Sequence, residues 1–184
     1  MRREGPVRIC FVCSGNICRS PIAEAVLLTL VEHAGLSDEV LVDSAGTGDW
    51  HIGERADLRA LRALSRHGYD ATAHRARQFE PTWFDRLDLV IALDRGHERT
   101  LRSWAVDQAQ RDKVRLLRGF DPEAGPGELD VPDPYYDGDQ AFAEVLDQVA
   151  AACRGLLTEV RAQLSPPEAG LTTGPPDAED SGAP

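Results

Sequence analysis

Basic residues are scarce in this chain. Twenty lysines and arginines stand against 31 aspartates and glutamates, a formal net charge of −11 over 184 residues. Nucleic acids and other polyanions select a basic face, so no such partner is expected. An anion site here must be local, built from backbone dipoles and one or two arginines. Cysteine is sparse too. Four thiols, at positions 10, 13, 18 and 153, are too few for a disulfide scaffold and lack the paired spacing of a zinc site. No metal or cofactor is expected, and a reducing cytoplasm fits. Long apolar runs are missing, since none approaches the roughly 20 residues of a membrane span. Arg2-Arg3 invites a twin-arginine reading, but the apolar run that follows is only about six residues and is broken by Arg8, so no export signal is expected. Ser165–Pro184 holds five prolines, three glycines, four acids and no base. That composition cannot bury a core and predicts a disordered tail, leaving residues 1–164 as one domain.

Within that domain, apolar runs at Val7–Val12, Val40–Val42, Leu87–Leu93 and Val114–Leu117 predict strands. Helical patterns lie between them. The first begins at Pro21, with Ser20 as N-cap and Glu24 in the first turn. The second covers Ala56–His67, which places Leu58, Leu61 and Leu64 together, and Gly68 ends it. The third covers Arg95–Trp104 behind a capping Asp94. The last, from Gln140 to Leu164, carries Phe142, Val145, Leu146, Val149, Cys153, Leu156, Leu157 and Val160 on one stripe. Strands alternating with helices predict an α/β three-layer sandwich, a mostly parallel sheet with helices on both faces. Ligands in such folds bind beyond the carboxyl ends of the strands. Gly119–Pro134, rich in Gly, Pro and Asp, reads as a mobile loop.

At the end of the first strand stands Cys13-Ser14-Gly15-Asn16-Ile17-Cys18-Arg19-Ser20-Pro21, and a helix follows at once. A thiol opens this loop and an arginine closes it. Backbone N–H groups at a helix N-terminus point at bound anions, and the dipole favours negative charge. That field and Arg19 favour thiolate over thiol, which makes Cys13 the candidate nucleophile. Gly15 lets backbone approach a ligand closely. Arg19 offers a fork of N–H donors to two oxygens of a tetrahedral anion.

The loop, taken with the distant Asp133-Pro134-Tyr135-Tyr136, resembles the low-molecular-weight protein tyrosine phosphatase family, in a bacterial, actinobacterial-like form. Asp43-Ser44-Ala45-Gly46-Thr47, Trp50 and His74-Arg75-Ala76-Arg77-Gln78 match as well, so the likeness runs from about Val7 to Leu164. One departure is Asp137, which precedes Gly138 where the family often has Gly directly. The resemblance implies a four-stranded parallel sheet and a metal-independent hydrolysis of phosphotyrosine in proteins through a phosphocysteine. It implies Cys13, Arg19 and Asp133 as catalytic residues. Ser14, Gly15, Asn16, Ile17, Cys18, Ser20, Trp50, Tyr135 and Tyr136 would surround the substrate. Ser44 and His74, with Asn16, would support the loop.

Some of these roles can be weighed from the residues alone. Asp130 and Asp137 rival Asp133 as the general acid, though Pro132 and Pro134 stiffen the chain around Asp133. Trp50, Tyr135 and Tyr136 lie in polar surroundings, which suits the walls of a slot for a phenolic ring. Ser20 could cap the helix, donate to the thiolate, or both. Cys18 is either an apolar filler or a resolving thiol for an oxidised Cys13. Cys10 and Cys153 read as packing residues.

Other functions stay open. A protein arginine phosphatase would share the loop, but that branch carries Thr where Ile17 stands. Arsenate reductases need a further redox cysteine pair, and only Cys153 remains downstream. A non-catalytic phosphotyrosine-binding module needs neither Cys13 nor Asp133. A Cys13–Cys18 redox sensor could coexist with catalysis. A monomer acting on phosphotyrosine proteins, with no nucleic acid or membrane partner, is expected.

Overall fold

The computed structural model describes residues 5–164, so the expectations for Arg2-Arg3 and for Ser165–Pro184 lie outside the described residues. Four strands run parallel: β1 (Val7–Cys13), β2 (Val40–Gly46), β3 (Leu89–Ala92) and β4 (Val114–Leu116). Their order across the sheet is β2-β1-β3-β4. Five helices connect and follow them: α1 (Arg19–His33), α2 (Leu58–Arg66), α3 (Arg95–Trp104), α4 (Gln108–Asp112) and α5 (Asp139–Leu164). Short 3₁₀ turns cover Pro81–Asp85 and Leu117–Phe120.

The central strand β1 is buried at every position but Arg8. A nearly continuous apolar run is what a strand covered on both faces requires. Its alternate side chains enter two cores. Ile9 and Phe11 join Ile22, Leu27, Leu64, Phe142 and Leu146 beneath α1, α2 and α5. Cys10 and Val12 join Phe79, Phe84, Leu101 and Val114 on the α3 side. The expected stripe of α5 is buried along its whole length, and Cys10 and Cys153 are packing residues with no exposure. Helices thus cover both faces of a four-stranded parallel sheet, as expected.

Several details differ. α2 buries Ala60, Ala63 and Leu64, while Leu58 at its first position is 70% exposed. Asp57 caps this helix by accepting the Arg59 N–H, which starts it later than expected and turns Leu58 outward. α1 begins at Arg19, so Glu24 falls beyond the first turn, and no side chain caps it. Ser20 is therefore not the cap; its hydroxyl is drawn into the Cys13 loop instead. β3 is shorter than the apolar run Leu87–Leu93, and α4 was not expected because it buries nothing. The segment Gly119–Pro134 is held at several points. Val131, 1% exposed, donates its N–H to Leu93, and Arg95 binds both Asp130 and the Pro126 carbonyl.

Candidate active site

β1 delivers Cys13 to the carboxyl edge of the sheet, in register with Gly46 of β2. The chain then turns through Ser14–Cys18 into α1. With no capping side chain, the first N–H groups of α1 stay available to a ligand. Asn16 makes the turn possible. Its φ of 58° is the one left-handed value at a non-glycine among the described residues, and Asn tolerates it better than most residues. Asn16 is fully buried and bonded on every side. Its amide donates to Ser20 Oγ at 2.8 Å and Ser44 Oγ at 2.9 Å. Its side-chain oxygen accepts the Arg77 N–H at 2.9 Å, and its carbonyl is 2.7 Å from His74 Nε2. Ser44 donates in turn to Glu24, whose carboxylate lies 3.6 Å from His74 Nδ1. Gly46 is needed for close passage, since a Cβ there would sit 2.5 Å from the Ser14 carbonyl oxygen.

The Cys13 sulfur lies 2.9 Å from Ser20 Oγ and accepts the Asn16 N–H at 3.3 Å. Arg19 is 4% exposed. One guanidinium nitrogen, Nη1, donates to Asp94 Oδ2 at 2.8 Å and to the Val131 carbonyl at 3.0 Å. The other, Nη2, is 3.5 Å from Asp133 Oδ2. The Asp133 carboxylate is half exposed; among the described residues its one side-chain partner is Arg19, and its Oδ1 accepts the Tyr135 N–H at 3.2 Å. Its rivals are turned elsewhere: Asp130 accepts the Arg95 N–H, and neither Asp130 nor Asp137 borders the cavity.

That cavity has a volume of about 260 Å³. Its floor is Cys13, Ser14, Gly15, Ile17, Cys18 and Arg19, and its walls are Trp50, His51, Asp133, Tyr135 and Tyr136. The tyrosine rings meet edge to face at 4.9 Å. Trp50 and Tyr136 are 68% and 92% exposed, which leaves a wide apolar mouth. Asn16, Ser20, Ser44 and His74 stand behind the floor and hold it from beneath. A larger cavity, about 350 Å³, lies on that far side against Glu24, Ser44 and His74, and contains neither Cys13 nor Arg19.

Four contributors were not found in the sequence. His51 packs its ring against Gly15 and bonds Glu54 through Nδ1 at 2.8 Å. Arg59 grips Asp57 and the Asp137 carbonyl and lies 5.8 Å from the Tyr135 ring centre. Asp94 does more than cap α3: it also binds Arg19. Burial opposes its charge, but the His97 N–H and Arg19 outweigh that and hold its pKa below the usual carboxylate range. His97 bonds Ser14 Oγ at 2.8 Å, and burial lowers its pKa to about 4 despite Asp94. Only pairing in space marks these residues, and their local sequence carries no signal of it. Burial raises the Cys18 thiol above its ordinary value, as it does Cys10 and Cys153. Among the described residues no group of three His, Cys, Asp or Glu side chains is placed to hold a metal ion, and no helix is long and apolar enough to cross a membrane.

A thiol that accepts a loop N–H, the uncapped start of α1, a buried guanidinium and a carboxylate beside an aromatic-lined cavity suit a tetrahedral anion carrying a flat apolar group. Comparison with known proteins gives the family. The family model for low molecular weight phosphotyrosine protein phosphatase matches residues 8–166. A low molecular weight protein-tyrosine-phosphatase of Streptomyces coelicolor is 57% identical over 157 residues, covering 85% of this chain and 95% of that protein. Low molecular weight protein-tyrosine phosphatase A of Mycobacterium tuberculosis is 49% identical over 151 residues, 82% and 90% of the two chains. Among solved structures, YfkJ from Bacillus subtilis superimposes with a TM-score of 0.82 at 34% identity, covering 89% of this chain and 99% of its own. A protein tyrosine phosphatase from Entamoeba histolytica gives 0.80 at 31% identity, covering 85% and 97%.

Proposed function

Because the chain belongs to the low molecular weight phosphotyrosine protein phosphatase family, we propose that it hydrolyses phosphotyrosine in proteins through a phosphocysteine intermediate. One observation carries this reading: Cys13, Arg19 and Asp133 border a single cavity, with Arg19 between the thiol loop and the acid. The phosphoryl oxygens occupy the loop N–H groups and the Arg19 donors. The Cys13 thiolate attacks phosphorus as the bond to the phenolic oxygen breaks, and Asp133 gives its proton to that oxygen. Water then attacks the phosphocysteine, Asp133 takes its proton, and the sulfur departs as thiolate with Ser20 Oγ at hand to stabilise it. Trp50, Tyr135 and Tyr136 flank the aromatic ring of the substrate.

Ile17, 8% exposed, adds an apolar side chain to the cavity and favours the phenyl ring over the polar guanidino group of phosphoarginine. The four free thiols fit a reducing cytoplasm. The test is turnover of phosphotyrosine, phosphoserine and phosphoarginine peptides in the presence of a chelator. Turnover confined to phosphotyrosine is expected. Preference for phosphoarginine would overturn the substrate, and no turnover of any would overturn the reaction.

A further inference from the structure

Ser14 and His97, 83 positions apart, meet inside the fold at 2.8 Å. The scheme above leaves His97 without a task. Its ring is only 6% exposed, and a buried imidazole needs a reason. Among the described residues its Nδ1 has no hydrogen-bond partner, and it lies 3.2 Å from Asp94 Oδ1. Burial keeps the ring neutral, so it carries a single N–H. With the proton on Nδ1, its partial positive charge lies near a carboxylate oxygen. With the proton on Nε2, a lone pair would face the carboxylate instead, which is repulsive. The first tautomer is therefore favoured, and Nε2 accepts the Ser14 hydroxyl. The other oxygen of Asp94 binds Arg19 Nη1 at 2.8 Å.

A series of contacts thus runs from Ser14 to the His97 ring, from His97 to Asp94 through the His97 backbone N–H and the 3.2 Å approach of Nδ1, and from Asp94 to Arg19. Ser14 directly follows the thiol, and Arg19 closes the loop. The Asn16 anchors reach the loop from the β2 side, through Ser44, whereas His97 reaches it from α3, which follows β3. The two strands flank β1, so the loop is braced from both neighbours. We propose that His97 is a positioning residue for phosphoryl transfer, holding the Ser14 end of the loop and, through Asp94, the Arg19 guanidinium in the geometry that pentacoordinate phosphorus demands. This rests on the phosphatase reading above.

The experiment compares wild type, His97→Ala, His97→Gln, Ser14→Ala and the His97→Ala/Ser14→Ala double variant on p-nitrophenyl phosphate. Small misplacements of a catalytic group cost up to about 10²-fold, so kcat should fall about 10- to 100-fold in His97→Ala, with KM changed little. Inhibition by vanadate, which adopts the trigonal-bipyramidal shape, should weaken in step with kcat, while inhibition by phosphate should hold. Gln can still accept from Ser14, so His97→Gln should recover much of the loss. The double variant should lose less than the product of the two single losses, because both remove one interaction. His97→Ala within twofold of wild type, or equal weakening of vanadate and phosphate, would overturn the proposal. If His97→Ala does not fold, Ser14→Ala decides: wild-type kcat there overturns it. An inactive wild type would instead sink the phosphatase reading itself.

Discussion

Asp133 Oδ2 stands 3.5 Å from Arg19 Nη2, joining a half-exposed carboxylate to a buried guanidinium. Substrate must enter beside this pair, so its phosphoryl group competes with Asp133 for Arg19. Binding would release Asp133 toward the leaving oxygen. Asp133→Asn should then cost about 10²- to 10⁴-fold with phenols of high pKa. It should cost least with nitrophenolate, which departs without a proton. A leaving-group series measures this, and a uniform loss would assign Asp133 a structural role.

Cys13→Ser should abolish turnover yet still bind phosphate, because the N–H cradle and Arg19 remain. Arg19→Lys should lose at least about 10²-fold in kcat, since a point charge cannot replace a fork that also serves Asp94 and Val131. Steady-state kinetics and phosphate titration check both. Substantial activity in Cys13→Ser would refute the nucleophile.

His97 makes stability depend on pH. Its pKa is about 4 in the fold against an ordinary 6.5, so the unfolded chain binds more protons between these values. Stability should therefore fall as pH drops from about 6.5 to about 4, by at most roughly 3 kcal/mol from this group. The lowered carboxylates Asp57 and Asp94 add losses as pH falls through the ordinary value of 3.8 and below it. Denaturant midpoints across this range should flatten in His97→Gln, and an unchanged slope would contradict the assignment.

Cys13 and Cys18 border the same cavity floor, both nearly buried. Peroxide should inactivate the enzyme, and dithiothreitol should restore it if Cys18 captures the sulfenic acid as a disulfide. Burial, by raising the Cys18 pKa, slows that capture. Equal recovery in wild type and Cys18→Ser would leave Cys18 a packing residue.

Removing Ser165–Pro184 should change melting temperature and turnover little, because its composition offers little to bury. A drop of several degrees in a thermal melt would show that the segment docks on the domain.

The strands and α5 were legible because uninterrupted apolar runs and a long helical stripe leave few alternatives. The meeting of Cys13, Arg19 and Asp133 at one cavity was legible through two motifs far apart in the chain. α2 was misjudged at Leu58, where a capping aspartate rather than hydrophobicity sets the helix start. Ser20 was ambiguous because its hydroxyl suits either a cap or a thiolate, and only the fold brings Ala45 and Asn16 beside it. His51, Asp94 and His97 act through partners that the local sequence does not reveal. Asp94 showed one face of its role, the cap, and hid the other.

The loop is braced by residues remote in sequence: Asn16 reaches His74, 58 positions on, Ser14 reaches His97, and Arg19 reaches Val131, 112 positions on. Closing such distant contacts carries a loop-closure cost, so they are expected late in folding. During synthesis, β1 and the thiol emerge first, while the chain that completes their surroundings is still to come. A nascent or truncated chain therefore exposes Cys13 without the cradle that makes it useful. Catalytic competence should therefore appear only once the whole domain has formed, which would make activity a reporter of late folding.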